Sequence, residues 1–238
     1  MHIRQNLQKN YRRKYNKESE EKMKEQKIEI LKDENGNYIK DTLPLLKFDK
    51  IDNDVISFYM QYNQLKNLYR QGWLKVRIGL KHKNKCESVA DHSFSVALLC
   101  MSIIQKYKLD VDILKCLKMC IIHELGEIYV GDYTPFDNIS KEEKHKKEKE
   151  AVQKALKNIS FENDYMEIWQ EFEEKNTEEA KLVNELDRLE FLMQSASYGY
   201  DIQYFKYSLN AIKSKFALEI VEELKIKTKG WKKPGKCD

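Results

Sequence analysis

Four polar side chains lie where the helical pattern of the sequence favours apolar ones. In the segment 88–107 the apolar residues recur every three or four positions, and His92 lies on that stripe. His123 and Glu124 directly follow an apolar run, and Asp187 shares a helix face with the apolar residues four positions before and after it. An unpaired buried carboxylate is costly, so the pattern predicts that two imidazoles and two carboxylates share one cation.

The donor set indicates which cations would bind. Imidazole nitrogens and carboxylate oxygens suit Mn, Fe, Co, Ni or Zn and leave coordination positions open for water. Taken singly, a His on an apolar face is more often a core residue, and an inward Asp is more often a cap or a buried hydrogen-bond partner. The sequence holds only five His, two of them at these positions, which favours the metal site.

A second acidic pair follows the first. Glu127 lies three residues after Glu124, and Asp132 follows Gly131. Carboxylates beside a metal can position a water molecule or take a proton. Either one could equally be a solvated loop side chain, so the residues alone leave both roles open.

The elements that must position these groups are helices. The chain has 8 Gly and 3 Pro among 238 residues and is 34% charged, which argues against a β-sandwich or barrel with its frequent turns. The stretch 71–85 is predicted to be a loop, and the fold class is predicted to be all-α. Periodicity predicts helices over about 53–70, 88–107, 111–124, 140–157, 161–174 and 177–197, and two more within 201–228.

Local signals refine these helices. Asp110 is the expected N-cap of the third helix, and Ser140–Glu143 has the spacing of a capping box. Cys116 and Cys120, at i and i+4, are predicted to be core residues. The first helix is expected to pack through a side that carries Val55, Phe58 or Tyr59, Tyr62, Leu65, and Leu68 or Tyr69.

Charge divides the chain into a basic N-terminal part and a nearly neutral remainder. Residues 1–32 carry ten basic and five acidic side chains, which leaves 33 basic and 34 acidic ones elsewhere. We expect a charged, disordered extension over 1–45, a folded domain over 46–228 and a tail over 229–238. A basic tail can contact nucleic acid, although most such runs are solvated extensions.

Cysteine use and hydropathy indicate the compartment. The five Cys form no CxxC pair, and three of them lie in apolar helical runs, as expected in a reducing environment. The N-terminus lacks the apolar core of a signal peptide, and no apolar stretch reaches the length of a membrane span. We therefore expect a cytoplasmic protein without membrane partners.

Several blocks together resemble the HD-domain metal-dependent phosphohydrolases, and within them the 5'-deoxynucleotidase branch. They are LKNLYRQGW, ESVADHSF, HELGEIYVGD, DNISKEEKHKKE and LVNELDRLEFLMQSASY, in that order over about 54–225. The resemblance implies an HD-domain helical bundle that holds one divalent metal ion, with Co, Mn, Mg, Fe, Ni or Zn as candidates. It also implies a homodimer that hydrolyses deoxyribonucleoside 5'-monophosphates to deoxynucleoside and phosphate.

The resemblance assigns roles to particular residues. It implies that His92, His123, Glu124 and Asp187 bind the metal. Glu127 and Asp132 match the catalytic carboxylates, and Asp132 also matches a sugar contact. Arg70 matches the arginine at the substrate phosphate, and Trp73 belongs to the same block.

One position departs from the family pattern. The pair that gives the family its name is His-Asp, whereas this chain has His123-Glu124. The carboxylate of Glu124 lies one methylene further out, so the metal shifts, the backbone retracts or Glu124 binds differently. Two alternative functions stay open: another HD phosphohydrolase with a cyclic, polyphosphate or triphosphate substrate, and a non-catalytic helical binding module.

Overall fold

The computed structural model describes residues 31–32, 36, 38–39, 51–75, 86–134 and 137–234. The chain divides into two compact units, Met1–Leu31 and Lys32–Asp238, and every helix given below belongs to the second. Most of the predicted N-terminal extension, with its possible nucleic-acid contact, lies outside the described residues. So do residues 76–85 of the predicted loop and the end of the C-terminal tail.

Ten α-helices make up most of the described chain. They are α1 (Asp54–Tyr62), α2 (Gln71–Lys75), α3 (Val89–Tyr107), α4 (Ile113–Ile122), α5 (Glu127–Val130), α6 (Lys141–Leu156), α7 (Glu162–Glu174), α8 (Glu178–Ser197), α9 (Lys206–Ala211) and α10 (Lys215–Thr228). Two 3₁₀ turns cover Asn63–Lys66 and Ile202–Tyr204. Two two-residue strands, Leu31–Lys32 and Tyr38–Ile39, pair around Gly36, which has a positive φ. The predicted all-α class is confirmed.

The largest core cluster lies among α3, α4 and α8. Val96, Cys100, Cys116, Cys120 and Leu186 are all fully buried there. The predicted core role of Cys116 and Cys120 is therefore confirmed. Because α3 carries His92, α8 carries Asp187 and His123 directly follows α4, the best packed part of the domain fixes the positions of these predicted ligands.

The predicted first helix is too long, since α1 ends at Tyr62. Beyond the 3₁₀ turn the chain pairs with the segment before α3, where Arg70 N–H donates to Glu87 O and Val89 N–H donates to Leu68 O. This long-range pairing pulls the backbone out of the helix. The predicted apolar side is also partly wrong, because Val55 is 62% and Tyr59 58% exposed.

The predicted loop from 71 is wrong for its first five residues, which form α2. The Gln71 N–H donates to Asp132 Oδ2 at 2.5 Å, which satisfies a helix N-terminal donor that has no partner within the helix. Trp73 and Leu74 are buried. A carboxylate 61 residues away therefore stabilises a helix that local sequence does not indicate.

Helix ends differ from the predictions at three places. The N-cap of α4 is Asp112, whose Oδ1 accepts from Lys115 N–H, rather than Asp110. The same helix ends at Ile122, so His123 and Glu124 lie in the following turn. Ser140 caps α6 as predicted, and a reciprocal capping box that we did not predict opens α3 at Ser88 and Asp91. No helix of the described part is long and apolar enough to cross a membrane.

Gly126 permits a close approach between the turn after α4 and α6. A Cβ at this position would lie 2.9 Å from Glu148 O and 3.2 Å from Glu148 Cα, both backbone atoms that cannot rotate away. We expect Gly126→Ala to lower the free energy of unfolding by about 1–3 kcal/mol through overpacking. Thermal and urea unfolding measure the change. The control is Gly72→Ala, whose Cβ would meet nothing nearer than 3.9 Å; an equal loss in both variants would contradict the prediction.

Candidate metal centre and adjoining cavity

The structure brings the four predicted metal ligands together. His92 comes from α3, His123 and Glu124 from the turn after α4, and Asp187 from α8. One donor atom from each lies within 4.8 Å of the donor atoms of the other three. Residues that are far apart in sequence therefore lie close together in the fold, and the group has the composition and spacing of a cation site.

The imidazole of His92 is oriented from both sides. Its Nδ1 lies 2.7 Å from Glu190 Oε2, so Nδ1–H donates to that carboxylate. Its Nε2 faces the ligand group, 3.2 Å from Asp187 Oδ1 and 3.9 Å from Glu124 Oε1. A carboxylate behind the imidazole is the usual way in which a metal-binding His is held in one tautomer.

His123 is oriented by its own turn of backbone. Its Nδ1 lies 2.9 Å from Cys120 O, and because a carbonyl can only accept, Nδ1 carries the proton. The lone pair of a neutral His123 is then on Nε2, which is where a metal ligand needs it. Burial lowers the pKa of His123, which favours that neutral form.

The donor atoms fit a divalent cation. The Nε2 atoms of His92 and His123 are both buried, and neither makes a hydrogen bond within the described part of the chain. Buried polar atoms are rarely left in that state, and a shared cation would satisfy both. Burial lowers the pKa of His92, but Glu190 and Asp187 outweigh it and raise the pKa to about 10. A bound cation would therefore displace a proton from His92.

The carboxylates of the site fall into two groups by their pKa. Burial alone would raise the pKa of Glu124 and Asp187, but His123 and Arg70 lower that of Glu124 to about 2. Arg188 and the imidazoles hold the pKa of Asp187 well below its usual range. Burial and the charge of Glu124 instead raise the pKa of Glu127 well above its usual range. Such a division separates charged ligands from groups able to carry a proton.

Arg70 connects the ligand group to the second acidic pair. Its NH1 donates to Glu124 Oε1 at 3.0 Å and to Asp132 Oδ1 at 3.3 Å. Glu127 is 3% exposed, and its Oε2 makes no hydrogen bond within the described residues. Arg70 and Asp132 are therefore in contact with the ligand group or with each other, and Glu127 is close enough for the charges of Glu124 and Asp132 to raise its pKa.

A cavity of about 370 Å³ opens beside this cluster and shares Arg70 and Asp132 with it. Aromatic side chains form much of its wall, among them Phe191, Tyr204 and Tyr207. Its size lies within the range of small-molecule sites, which are lined mainly by apolar groups with a few polar ones. The cluster thus adjoins a space that can hold a small organic molecule.

The family model of the HD domain matches residues 62–226. The chain belongs to the HD domain family. The 5'-deoxynucleotidase HDDC2 of Dictyostelium discoideum is 35% identical over 153 residues, which cover 61% of this chain and 78% of the relative. The human 5'-deoxynucleotidase HDDC2 is 33% identical over 146 residues, which cover 60% of this chain and 68% of the relative. Among solved structures, a conserved hypothetical protein from Pyrococcus furiosus has a TM-score of 0.55 at 29% identity and covers 72% of this chain and 99% of its own.

Trp73 of this HD domain lies in the cavity wall, but most of its surface is used elsewhere. Its indole stacks on Phe191 with centroids 4.6 Å apart, and Nε1–H donates to Glu87 Oε1 at 2.6 Å. Only 2% of the residue is exposed. The predicted substrate contact stays a prediction, and what the structure adds is a packing role beside Arg70.

Two buried carboxylates that lie close to His92 were not singled out from the sequence. Glu190 contacts His92, and Glu87 contacts Trp73. Burial and the charge of Glu190 raise the pKa of Glu87 to about 7. Glu190 could have been found, because it lies three residues after Asp187 and so faces the same side of α8. Glu87 lies outside any regular element, and no periodic signal points to it.

We expect Glu190→Gln to weaken divalent metal binding about 10–100-fold, because the charged partner of the His92 imidazole is lost. Competition with a chromogenic chelator measures the affinity. Glu178→Gln, at the exposed start of α8, is the matched control and should bind as the wild type does. Unchanged affinity in Glu190→Gln would show that Nδ1 of His92 needs no charged acceptor.

Proposed function

We propose that this HD domain is a metal-dependent 5'-nucleotidase that hydrolyses deoxyribonucleoside 5'-monophosphates to deoxynucleoside and phosphate. The observation that carries the proposal is the cavity lined by Arg70 and Asp132, because Arg70 also donates to Glu124 of the four-ligand group. A phosphate at Arg70 would lie beside the ligand group. The nucleoside attached to it would then occupy the cavity. The relatives named 5'-deoxynucleotidase match 60–61% of the chain and support the substrate class.

One divalent ion would be held by His92, His123, Glu124 and Asp187. The resemblance favours Co or Mn as that ion. When bound, such an ion lowers the pKa of a coordinated water and draws charge from phosphate oxygens. Glu124 in place of Asp remains compatible with this role. The backbone of residues 123–126 forms a turn after helix α4, and from this turn Oε1 of Glu124 lies close to the other three donor atoms.

The other residues have separate tasks in this proposal. Arg70 would bind the phosphate through its guanidinium and align it with the attacking water. As the water oxygen bonds to phosphorus, the bond from phosphorus to O5' breaks, and O5' takes up a proton. Glu127, buried and with an unpaired Oε2 in the described structure, would carry the proton between the water and O5'. Asp132 would hold Arg70 and the first residue of α2 in place.

The test combines metal analysis with a substrate panel. The metal-stripped chain is supplied with Co, Mn, Mg or Zn and offered the four deoxyribonucleoside monophosphates, matching ribonucleotides, triphosphates and cyclic diesters. We expect phosphate release from the deoxy monophosphates and none after chelation. Release from triphosphates or diesters alone would favour another phosphohydrolase, and bound metal without turnover on any substrate would favour a binding module.

The proposal also includes a homodimer in the cytoplasm. Phe94, Leu98 and Met101 lie at i, i+4 and i+7 on α3 and are 66, 56 and 49% exposed, and such an apolar stripe favours contact with a second copy. Cys100 and Cys116 are buried thiols without disulfide bonds, which suits a reducing compartment. Sedimentation equilibrium of the full chain measures the oligomeric state.

A further inference from the structure

Arg188 is a second arginine of the cavity, and apart from its charge beside Asp187 nothing above gives it a task. It lies on α8 directly after Asp187 and lines the cavity that Arg70 also lines. We infer that Arg188 reads the nucleobase and makes the enzyme prefer guanine over adenine. This inference rests on the proposed function, since it concerns the same cavity and names the base of its substrate.

The guanidinium of Arg188 is held from two sides. Its Nε lies 3.5 Å from Asp187 Oδ2, and its Cζ lies 5.5 Å from the centroid of the Tyr207 ring. A guanidinium held between a carboxylate and an aromatic ring is restricted in position and spends less conformational entropy on binding. The side chain is 36% exposed, so the group remains accessible.

Arg188 and Arg70 each line the cavity and contact a predicted metal ligand, Asp187 and Glu124 respectively, but they differ in what else they line. Arg70 contacts Glu124 and Asp132, beside the metal group. Arg188 and Tyr207 also line a larger neighbouring groove of about 640 Å³, so they mark the boundary between the two spaces. A nucleotide whose phosphate lies at Arg70 would extend its nucleoside towards that boundary.

Three charged side chains of the cavity wall can only donate hydrogen bonds, whereas the five hydroxyl side chains among its described lining residues can donate or accept. Arg70, Arg188 and Lys206 are cationic. Among the described residues that line the cavity, the carboxylate is Asp132, which already accepts from Arg70 and from the Gln71 N–H. A base that presents acceptors therefore fits this wall better than one that presents a donor.

Guanine satisfies this requirement best. Its O6 and N7 are neighbouring acceptors, and the arginine fork binds them with two parallel hydrogen bonds. Adenine presents an amino donor in place of O6, which would face an N–H of Arg188. Adenine therefore loses the two parallel hydrogen bonds that guanine makes, although Arg188, at 36% exposed, can still donate to water. Pyrimidines, with one accessible carbonyl, should fall between the two purines.

The experiment compares Arg188→Lys, Arg188→Ala and the control Lys181→Gln with the wild type. Lys181 lies on the same helix and lines the larger groove but not the cavity. For each protein, kcat/KM is measured on dGMP, dAMP, dTMP and dCMP, together with metal content. Equilibrium binding of deoxyguanosine and deoxyadenosine, which lack phosphate, gives a second readout.

We expect the wild type to prefer dGMP over dAMP by about tenfold or more, as one bidentate base contact allows. Both Arg188 variants should lose most of that preference through the KM for dGMP, with metal content unchanged, and the control should keep it. Lysine keeps the charge but not the fork, so Arg188→Lys separates base recognition from simple attraction of phosphate. Deoxyguanosine binding should weaken in both Arg188 variants.

Three results would overturn the inference. One is a wild type with no preference between the guanine and adenine compounds. Another is an equal loss on all four nucleotides that Arg188→Lys restores, which would place Arg188 on the phosphate. The third is a fall in the metal content of the Arg188 variants, which would mean that Arg188 acts by holding Asp187 and not by binding the base. A wild type without turnover on any nucleotide contradicts the proposed function instead, and nucleoside binding still tests Arg188.

Discussion

Glu127→Gln is expected to lower kcat by about 10²–10⁴-fold, the usual contribution of a positioned proton donor or acceptor, while metal stays bound. The amide has nearly the shape of the carboxylate but cannot exchange a proton. Glu127 is buried at 3% exposure beside Glu124 and Asp132, and its charge interacts with both. Bulk water therefore cannot reach this position and carry the proton in place of Glu127.

The measurement pairs single-turnover rates with metal content on the same preparation. Retention of metal is expected because Glu127 does not belong to the four-ligand group. Glu142→Gln, at the exposed first turn of α6, removes a carboxylate near in sequence and should leave both quantities unchanged. A Glu127→Gln protein that loses metal and rate together would move Glu127 from proton transfer to metal binding.

The metal ligands could be predicted from sequence because each interrupts a strong apolar pattern. His92 and Asp187 lie on stripes that pack against the same core, so burial and proximity follow from periodicity. The pairing of Glu190 with His92 spans 98 residues, so the helix pattern can place Glu190 on the side of Asp187 but cannot name its partner. Helix α2 depends in the same way on a carboxylate of a distant loop. Sequence patterns thus located the residues that interrupt the core, and missed the contacts that orient them.

The Glu that replaces Asp in the His-Asp pair contacts Arg70 as well as the ligand nitrogens. Glu124 Oε1 lies 3.0 Å from Arg70 NH1, 3.6 Å from His123 Nε2 and 3.9 Å from His92 Nε2. One carboxylate oxygen therefore faces both the ligand nitrogens and the arginine assigned to the phosphate. A cation held by the ligand group would therefore share that oxygen with Arg70, whose NH1 also donates to Asp132.

Arg70→Ala should lower kcat/KM about 10²–10³-fold, the usual cost of one donor that stabilises developing charge in a transition state. Metal affinity should stay the same or rise, because the variant removes a positive charge that lies beside Glu124 and opposes a second cation. Arg70→Lys should recover part of the rate, since it restores the charge but not the two-pronged geometry.

Metal titration and steady-state rates on a deoxyribonucleoside monophosphate measure the two effects separately. Lys66→Ala removes an exposed cation four residues earlier in the chain and controls for a general change in charge. Equal losses of metal and rate in Arg70→Ala would mean that Arg70 only holds Glu124 and Asp132 in place. A rate that falls while metal affinity holds would separate the two halves of the site: the ligands hold the ion without Arg70, and the phosphate depends on it.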